Sequence, residues 1–198
     1  MTLAARILAL AELTLRNPRE AARVLLAEGV PLSARKLGLL FVAVMSVLLA
    51  SIEIGTTSDP VPPVIAFMMA SPLRLAAFEW LMLALSVLMI HRIGRSFGGT
   101  GSLADALLIT IWVEFLMLGP QVLQLLIGLV SADLAGIIGI GSLAMFLWLI
   151  TSFIAELHGF RSRPLVFLGM VVASFAAGMV MAILIALILG PKVLLPYV

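Results

Sequence analysis

Five long apolar runs, each closed by charged or turn-forming residues, restrict this chain more than any other feature. They cover Leu37–Ile54, Leu73–Ile90, Ala106–Val130, Leu134–Ala155 and Leu165–Leu189. A helix needs about 17–25 predominantly apolar residues to cross a hydrocarbon core about 30 Å thick, and each run falls in that range. Composition agrees. The chain has 198 residues, 63% hydrophobic and 11% charged, where soluble domains hold about 45–50% apolar and about 25% charged residues. A chain of this size has too little interior to hide the surplus. These facts exclude a soluble enzyme, a disordered chain and a fibrous one. They predict an all-α polytopic membrane protein with five transmembrane helices.

Residues 1–36 form a separate helical segment in this reading, 37–190 the transmembrane domain, and 191–198 a short external tail. Leu3, Ile7, Leu8, Leu10 and Leu15 share one side of a 3.6-residue period, opposite Thr2, Arg6, Glu12 and Arg16. That pattern is an amphipathic helix suited to the headgroup region, or to docking a partner. Glu12 and Arg16 interrupt it and no small-residue cleavage site follows, so it is read as retained rather than as a signal peptide. Asn17-Pro18 restarts the chain, with Asn17 as cap, Pro18 at the first helical position and Glu20 reaching back. Ser33 is available to cap the first span. Between spans one and two, Asp59, Pro60, Pro62, Pro63 and Pro72 flank Val64–Ala70, which is too short to cross and is read as interfacial or re-entrant. Ser102 with Asp105, and Ser131 with Asp133, mark the starts of spans three and four.

Basic residues set the expected orientation. Arg6, Arg16, Arg19, Arg23, Arg35 and Lys36 precede span one, Arg92 and Arg95 follow span two, and Arg161 and Arg163 follow span four. With five spans all ten fall on one side, against Arg74 and Lys192 on the other. The N-terminus is therefore placed in the cytoplasm and the C-terminus outside.

Few residues offer chemistry. Glu114 lies well inside span three, where an ionised carboxylate is costly. It reads equally as a proton or cation site, as a partner for Arg92 or Arg95, or as a hydrogen-bonded carboxyl locking helices. Gly119-Pro120 should kink the same span, and Gln121 and Gln124 stand ready for freed carbonyls or a neighbouring helix. A broken helix there can mark a substrate site, although a packing kink is commoner. Glu79 and Arg74 are five apart and read first as interfacial anchors. Arg92, Arg95, Arg161 and Arg163 are candidate contacts for anionic lipid headgroups. In span five Ser174, Gly178, Ala182 and Ala186 recur every four residues, as do Ala135 and Gly139 in span four, a spacing that lets helices approach closely. Packing within the chain is the first use of these stripes, homo-oligomerisation the second.

Catalysis has no candidate constellation. Cysteine is absent and the only histidines are His91 and His158, so there is no His-Glu-x-x-His zinc site and no serine-nucleophile motif. Glu156 and His158 point in different directions on a helix end. Gly98-Gly99-Thr100-Gly101-Ser102 lacks the lysine and spacing of a phosphate-binding loop and serves as a tight connection. The formal charge of +2 and the pI of 9.7 reflect scarce ionisable groups, not a nucleic-acid partner. No metal or cofactor is expected.

From about residue 60 to 190 the sequence resembles the Yip (Ypt/Rab-interacting protein) superfamily of five-span membrane proteins. The features that carry this follow in order: Arg95-Ser96-Phe97-Gly98-Gly99-Thr100-Gly101-Ser102 after a span, a helix with internal Pro120, a helix bearing Trp148 and ending at His158-Gly159, and an Ala/Gly-rich last span. The resemblance implies a non-enzymatic membrane protein with a cytoplasmic N-terminus and a lumenal or periplasmic C-terminus. Eukaryotic relatives are associated with small GTPases and vesicle traffic. Here the Asp-Leu-Tyr-Gly-Pro motif of many eukaryotic members is absent, and the one tyrosine is Tyr197. The short N-terminal region and Ala/Leu/Arg-rich style suggest a bacterial member in the inner membrane, where no Rab partner is expected. The expected function is a membrane organiser or scaffold that binds lipids, another membrane protein or a second copy of itself. The alternative is a pathway for lipid, proton or small solute that uses Glu114 and the Pro120 break.

Overall fold

In the computed structural model, which describes residues 2–54, 67 and 70–189, regular structure is helical. The helices with described bounds are α1 (Leu3–Arg16), α2 (Pro18–Ala27), α3 (Leu32–Ile54), α4 (Pro72–Ser96), α5 (Leu103–Gly128), α6 (Ala132–His158) and α7 (Arg163–Leu189). The last five are each long and apolar enough to cross a membrane, so the chain is a multi-pass membrane protein. Val64–Ala70, apart from Phe67 and Ala70, and the tail from 190 lie outside the described residues.

Side-chain caps set the helix starts, because the first turn of a helix leaves backbone N–H groups without partners. Ser102 Oγ accepts from the Asp105 N–H at 3.1 Å and donates to its carboxylate at 2.6 Å. Ser131 Oγ accepts from the Leu134 N–H at 3.3 Å. Asn17 accepts from the Glu20 N–H at 3.4 Å, while its amide donates to the Glu20 carboxylate at 2.8 Å. The first span differs from expectation: α3 begins at Leu32, which puts Ser33 inside its first turn rather than at the cap. Helices also outrun the apolar spans. α4 continues past Ile90 through His91, Arg92 and Arg95, because hydropathy marks the bilayer whereas hydrogen bonding continues until a turn forms.

α5 is the central helix. It packs on α6 and α3 and also meets α4. Ile109, Val113, Leu149 and Phe153 are fully buried along its seam with α6, and α2 adds Ala21, Ala22 and Leu25 to the same cluster. A second cluster of Leu39, Val42, Ala43 and Leu83 joins α3 to α4. Small residues let α5 and α6 approach. Ala135 is buried, and a Cβ on Gly139 would lie 3.3 Å from the Gln124 amide oxygen.

Span five behaves otherwise. Within the described residues α7 packs chiefly on α6, and Leu165, Phe175 and Leu187 are each more than two-thirds exposed. Ser174 and Gly178 are exposed too, and a Cβ on Gly178 would meet nothing within 4 Å. The expected intramolecular use of this stripe is thus not realised at those two positions. An outward apolar surface is costly in water but matches the hydrocarbon around a membrane helix.

Candidate functional site

Several of the basic residues expected on one side tie helix ends together, where α2 lies against α6 and α5. The amphipathic face of α1 is divided between two surroundings. Ile7, Leu10 and Ala11 pack against the core, whereas Leu3, Leu8 and Leu15 are exposed. Thr14, which the apolar pattern passes over, is fully buried. Its hydroxyl donates to the Leu10 carbonyl at 2.7 Å and accepts from the Trp112 indole N–H at 3.0 Å. The helix whose pattern suits the headgroup region or a docking partner is thus pinned to α5 by a buried hydrogen bond.

Several cations are spent on similar ties. Arg35 is 9% exposed; it donates to the Val30 carbonyl at 2.8 Å, the Ala104 carbonyl at 2.5 Å and Asp105 at 2.9 Å. It thus fastens the start of α3 to the start of α5. Arg19 donates to the Phe160 and Arg161 carbonyls at 2.8 and 3.2 Å. Arg23 pairs with Glu156 at 2.6 Å, and the hydrogen bond and charge of that carboxylate push its guanidinium pKa up. Arg6 pairs with Glu28, and Arg16 with Glu12 at 2.7 Å. The side chains of Arg92, Arg95, Arg161 and Arg163 have no ion-pair or hydrogen-bond partner among the described residues, and the first three are exposed. Beside Arg95, Phe97 is 75% exposed.

The turn from α4 to α5 is moulded around His158, which is 3% exposed. Its Nδ1 accepts from the Gly101 N–H at 3.2 Å and its Nε2 lies 3.1 Å from the Ile90 carbonyl. A Cβ at Gly94 or Gly99 would overlap the imidazole, and one at Gly101 would overlap Leu157. Gly98 has φ +83°, a left-handed conformation that favours glycine. His91 Nδ1–H donates to the Gly101 carbonyl at 3.2 Å. Along the chain the glycine run and His158-Gly159 are separate features. Their conjunction is a packing fact that spacing along the chain does not carry.

The intramembrane candidates form no single site. Glu114 is half-buried on α5, and Glu79 lies on the neighbouring α4. Neither carboxylate has a hydrogen-bond or ion-pair partner among the described residues, so the expected pairing of Glu114 with Arg92 or Arg95 is not made: those arginines are exposed near the far end of α4. Arg74 does not reach Glu79 either, but lies over the Phe67 ring at 4.0 Å. Pro120 does not break its helix. α5 is continuous from Leu103 to Gly128, the loss of one N–H being absorbed by the surrounding turns. Gln121 and Ser46 lie 3.1–3.2 Å apart and tie α5 to α3, while Gln124 packs against Gly139. Among the described residues no group of acidic residues and histidines could hold a metal ion. An apolar cleft of about 180 Å³ opens between α1, α3 and α5, with Ile7, Phe41, Ile111 and Phe115 in its walls.

No curated protein and no solved structure matches the chain. The family model of the Yip1 domain matches residues 13–186, a stretch that takes in the last four residues of α1, the strapped α2, the glycine turn with its histidine, and the five long helices but for the last three residues of α7. By that match the chain is a member of the Yip1 domain family, a multi-pass membrane protein.

Proposed function

We propose that this protein is a non-enzymatic membrane organiser whose basic end binds anionic lipid headgroups and presents its α1–α2 cap to a membrane partner. The observation that supports this is the division of labour among its cations. Arg6, Arg19, Arg23 and Arg35 hold the cap and the helix starts together, whereas Arg92, Arg95, Arg161 and Arg163 have no partners among the described residues. Cations near an anionic surface contribute about 1 kcal/mol each, and the exposed Phe97 adds an aromatic ring suited to the interface. In this reading the basic end faces the cytoplasm, the C-terminus lies outside, and the membrane is a bacterial inner membrane. The alternative pathway reading loses the helix break on which it leaned, since α5 runs through Pro120.

Reconstitution in mixed phosphatidylglycerol and phosphatidylcholine nanodiscs tests the proposal. Lipids retained on the protein after transfer to mild detergent are counted by native mass spectrometry. The wild type is expected to retain phosphatidylglycerol in excess, and the variant with all four arginines changed to Gln to retain both lipids equally. Equal retention by the wild type refutes the lipid role. Stoichiometric co-purification of another membrane protein, abolished by surface changes on α1–α2, supports the partner role.

A further inference from the structure

We propose that His158 is a protonation-sensitive latch: its neutral ring clamps the α4–α5 turn to the end of α6, and a proton on Nδ1 releases the turn. The hydrogen bonds specify the tautomer. Nδ1 accepts from the Gly101 N–H, so it carries no proton, and Nε2–H then donates to the Ile90 carbonyl. Only the neutral Nε2–H form satisfies both contacts. The doubly protonated ring sets one N–H against another at Gly101, and it does so in a pocket closed by the three glycines and by Phe160, whose ring stacks at 5.5 Å.

The surrounding charges do not stabilise such a cation. α4 presents His91, Arg92 and Arg95. Glu156, on α6 itself, is engaged by Arg23 of α2, and Asp105 of α5 is engaged by Arg35 and Ser102. Arg19 of α2 and Arg161 in the connection to α7 add further positive charge. The nearby carboxylates are committed elsewhere and the remaining charges are cationic, so the proton is accommodated by opening the turn. His91 does not share this behaviour. It donates through Nδ1 to the Gly101 carbonyl, and an imidazolium donates there equally well. An imidazole changes charge in the range from pH 5 to 8, which makes the latch responsive to acidification on its own side of the membrane. The released turn carries Phe97 beside Arg92 and Arg95, so its effect on headgroup binding rests on the function proposed above; the release itself does not.

The chain has two histidines and no cysteine, which makes the test direct. Protein labelled with ¹⁵N-histidine is reconstituted in nanodiscs, and a nitroxide is placed on Thr100→Cys, an exposed position in the turn. At pH 8 the His158 ring is expected to show an unprotonated Nδ1 and a protonated Nε2, with the nitroxide immobilised. Below the ring's own titration point the ratio of mobile to immobile nitroxide should rise about tenfold per pH unit, as one linked proton requires. His158→Asn places an amide oxygen near the Nδ1 position and does not titrate, so its nitroxide should stay immobile to pH 5. His91→Asn should respond as the wild type does. The latch is overturned by an Nδ1–H ring at pH 8, by a ring still neutral at pH 5, by a nitroxide indifferent to ring protonation, or by release that persists in His158→Asn. Should His158→Asn fail to fold, the ring spectrum and nitroxide of the Thr100→Cys protein with both histidines intact decide the matter. Lipid retention is measured separately, so loss of the headgroup reading leaves the nitroxide result standing.

Discussion

Thr14→Val isolates the contact that converts an amphipathic segment into a docked one. Valine has nearly the shape of threonine, so packing at this fully buried position is kept. What disappears is the acceptor for the Trp112 indole N–H, 3.0 Å away, and Trp112 is itself only 8% exposed. A buried donor left without a partner costs about 1–3 kcal/mol, or roughly 5- to 150-fold in the equilibrium between docked and undocked α1. The hydroxyl's bond to the Leu10 carbonyl is also lost, but that carbonyl keeps its helical partner. Hydrogen–deuterium exchange in nanodiscs reads the equilibrium directly: amides of α1 should exchange faster by that factor, whereas those of α5 should not change. Trp112→Phe removes the donor, so the double variant should cost less than the sum of the two singles. Unchanged exchange in Thr14→Val, or strict additivity in the double variant, would show that apolar contact alone holds α1 and that the hydrogen bond is incidental.

Further outcomes follow from the same geometry. Gly94→Ala and Gly99→Ala each drive a methyl into the His158 ring and should destabilise the protein by about 1–3 kcal/mol, seen as a lower melting temperature in detergent; Gly141→Ala, with open space around it, should lose nothing. Arg35→Gln should lower the melting temperature, since hydrogen bonds to charged groups contribute about 1.5–3 kcal/mol, while Arg23→Gln, whose guanidinium is largely exposed, should lower it far less, an exposed pair contributing about 0.2–1 kcal/mol. Glu114→Gln should leave proton leak across reconstituted vesicles at the wild-type value; a wild-type flux abolished by this change would restore the pathway reading.

The five crossings were legible because length and hydropathy state the requirement of the bilayer almost without reference to tertiary contacts. Ala135 and Gly139 were legible for a similar reason, as close helix approach in lipid needs small residues. Side-chain surroundings were not. The apolar face of α1 reads the same whether it meets lipid or protein, and only the fold assigns Ile7 and Leu10 to the bundle and Leu8 and Leu15 outward. Thr14 and Trp112 stand 98 residues apart, and nothing local in either segment announces the other. The stripe in span five met the converse difficulty. Its spacing was correct for close packing, yet Ser174 and Gly178 face away from the described part of the chain. The depth of Glu114 is legible in the sequence, but depth gives cost rather than role.

Arg19 bonds to carbonyls 141 and 142 positions further along the chain. A protein threaded into the bilayer from its first residue has made α1 and α2 long before that acceptor pair emerges. Until Trp112 of α5 emerges, the two short helices have only lipid and water to settle against, and the leucines of α1 supply a provisional berth at the surface. Docking is thus completed in two stages, α1 once α5 arrives and α2 once α6 does. A ribosome stalled after α5 should display an α2 open to protease that the finished protein shields.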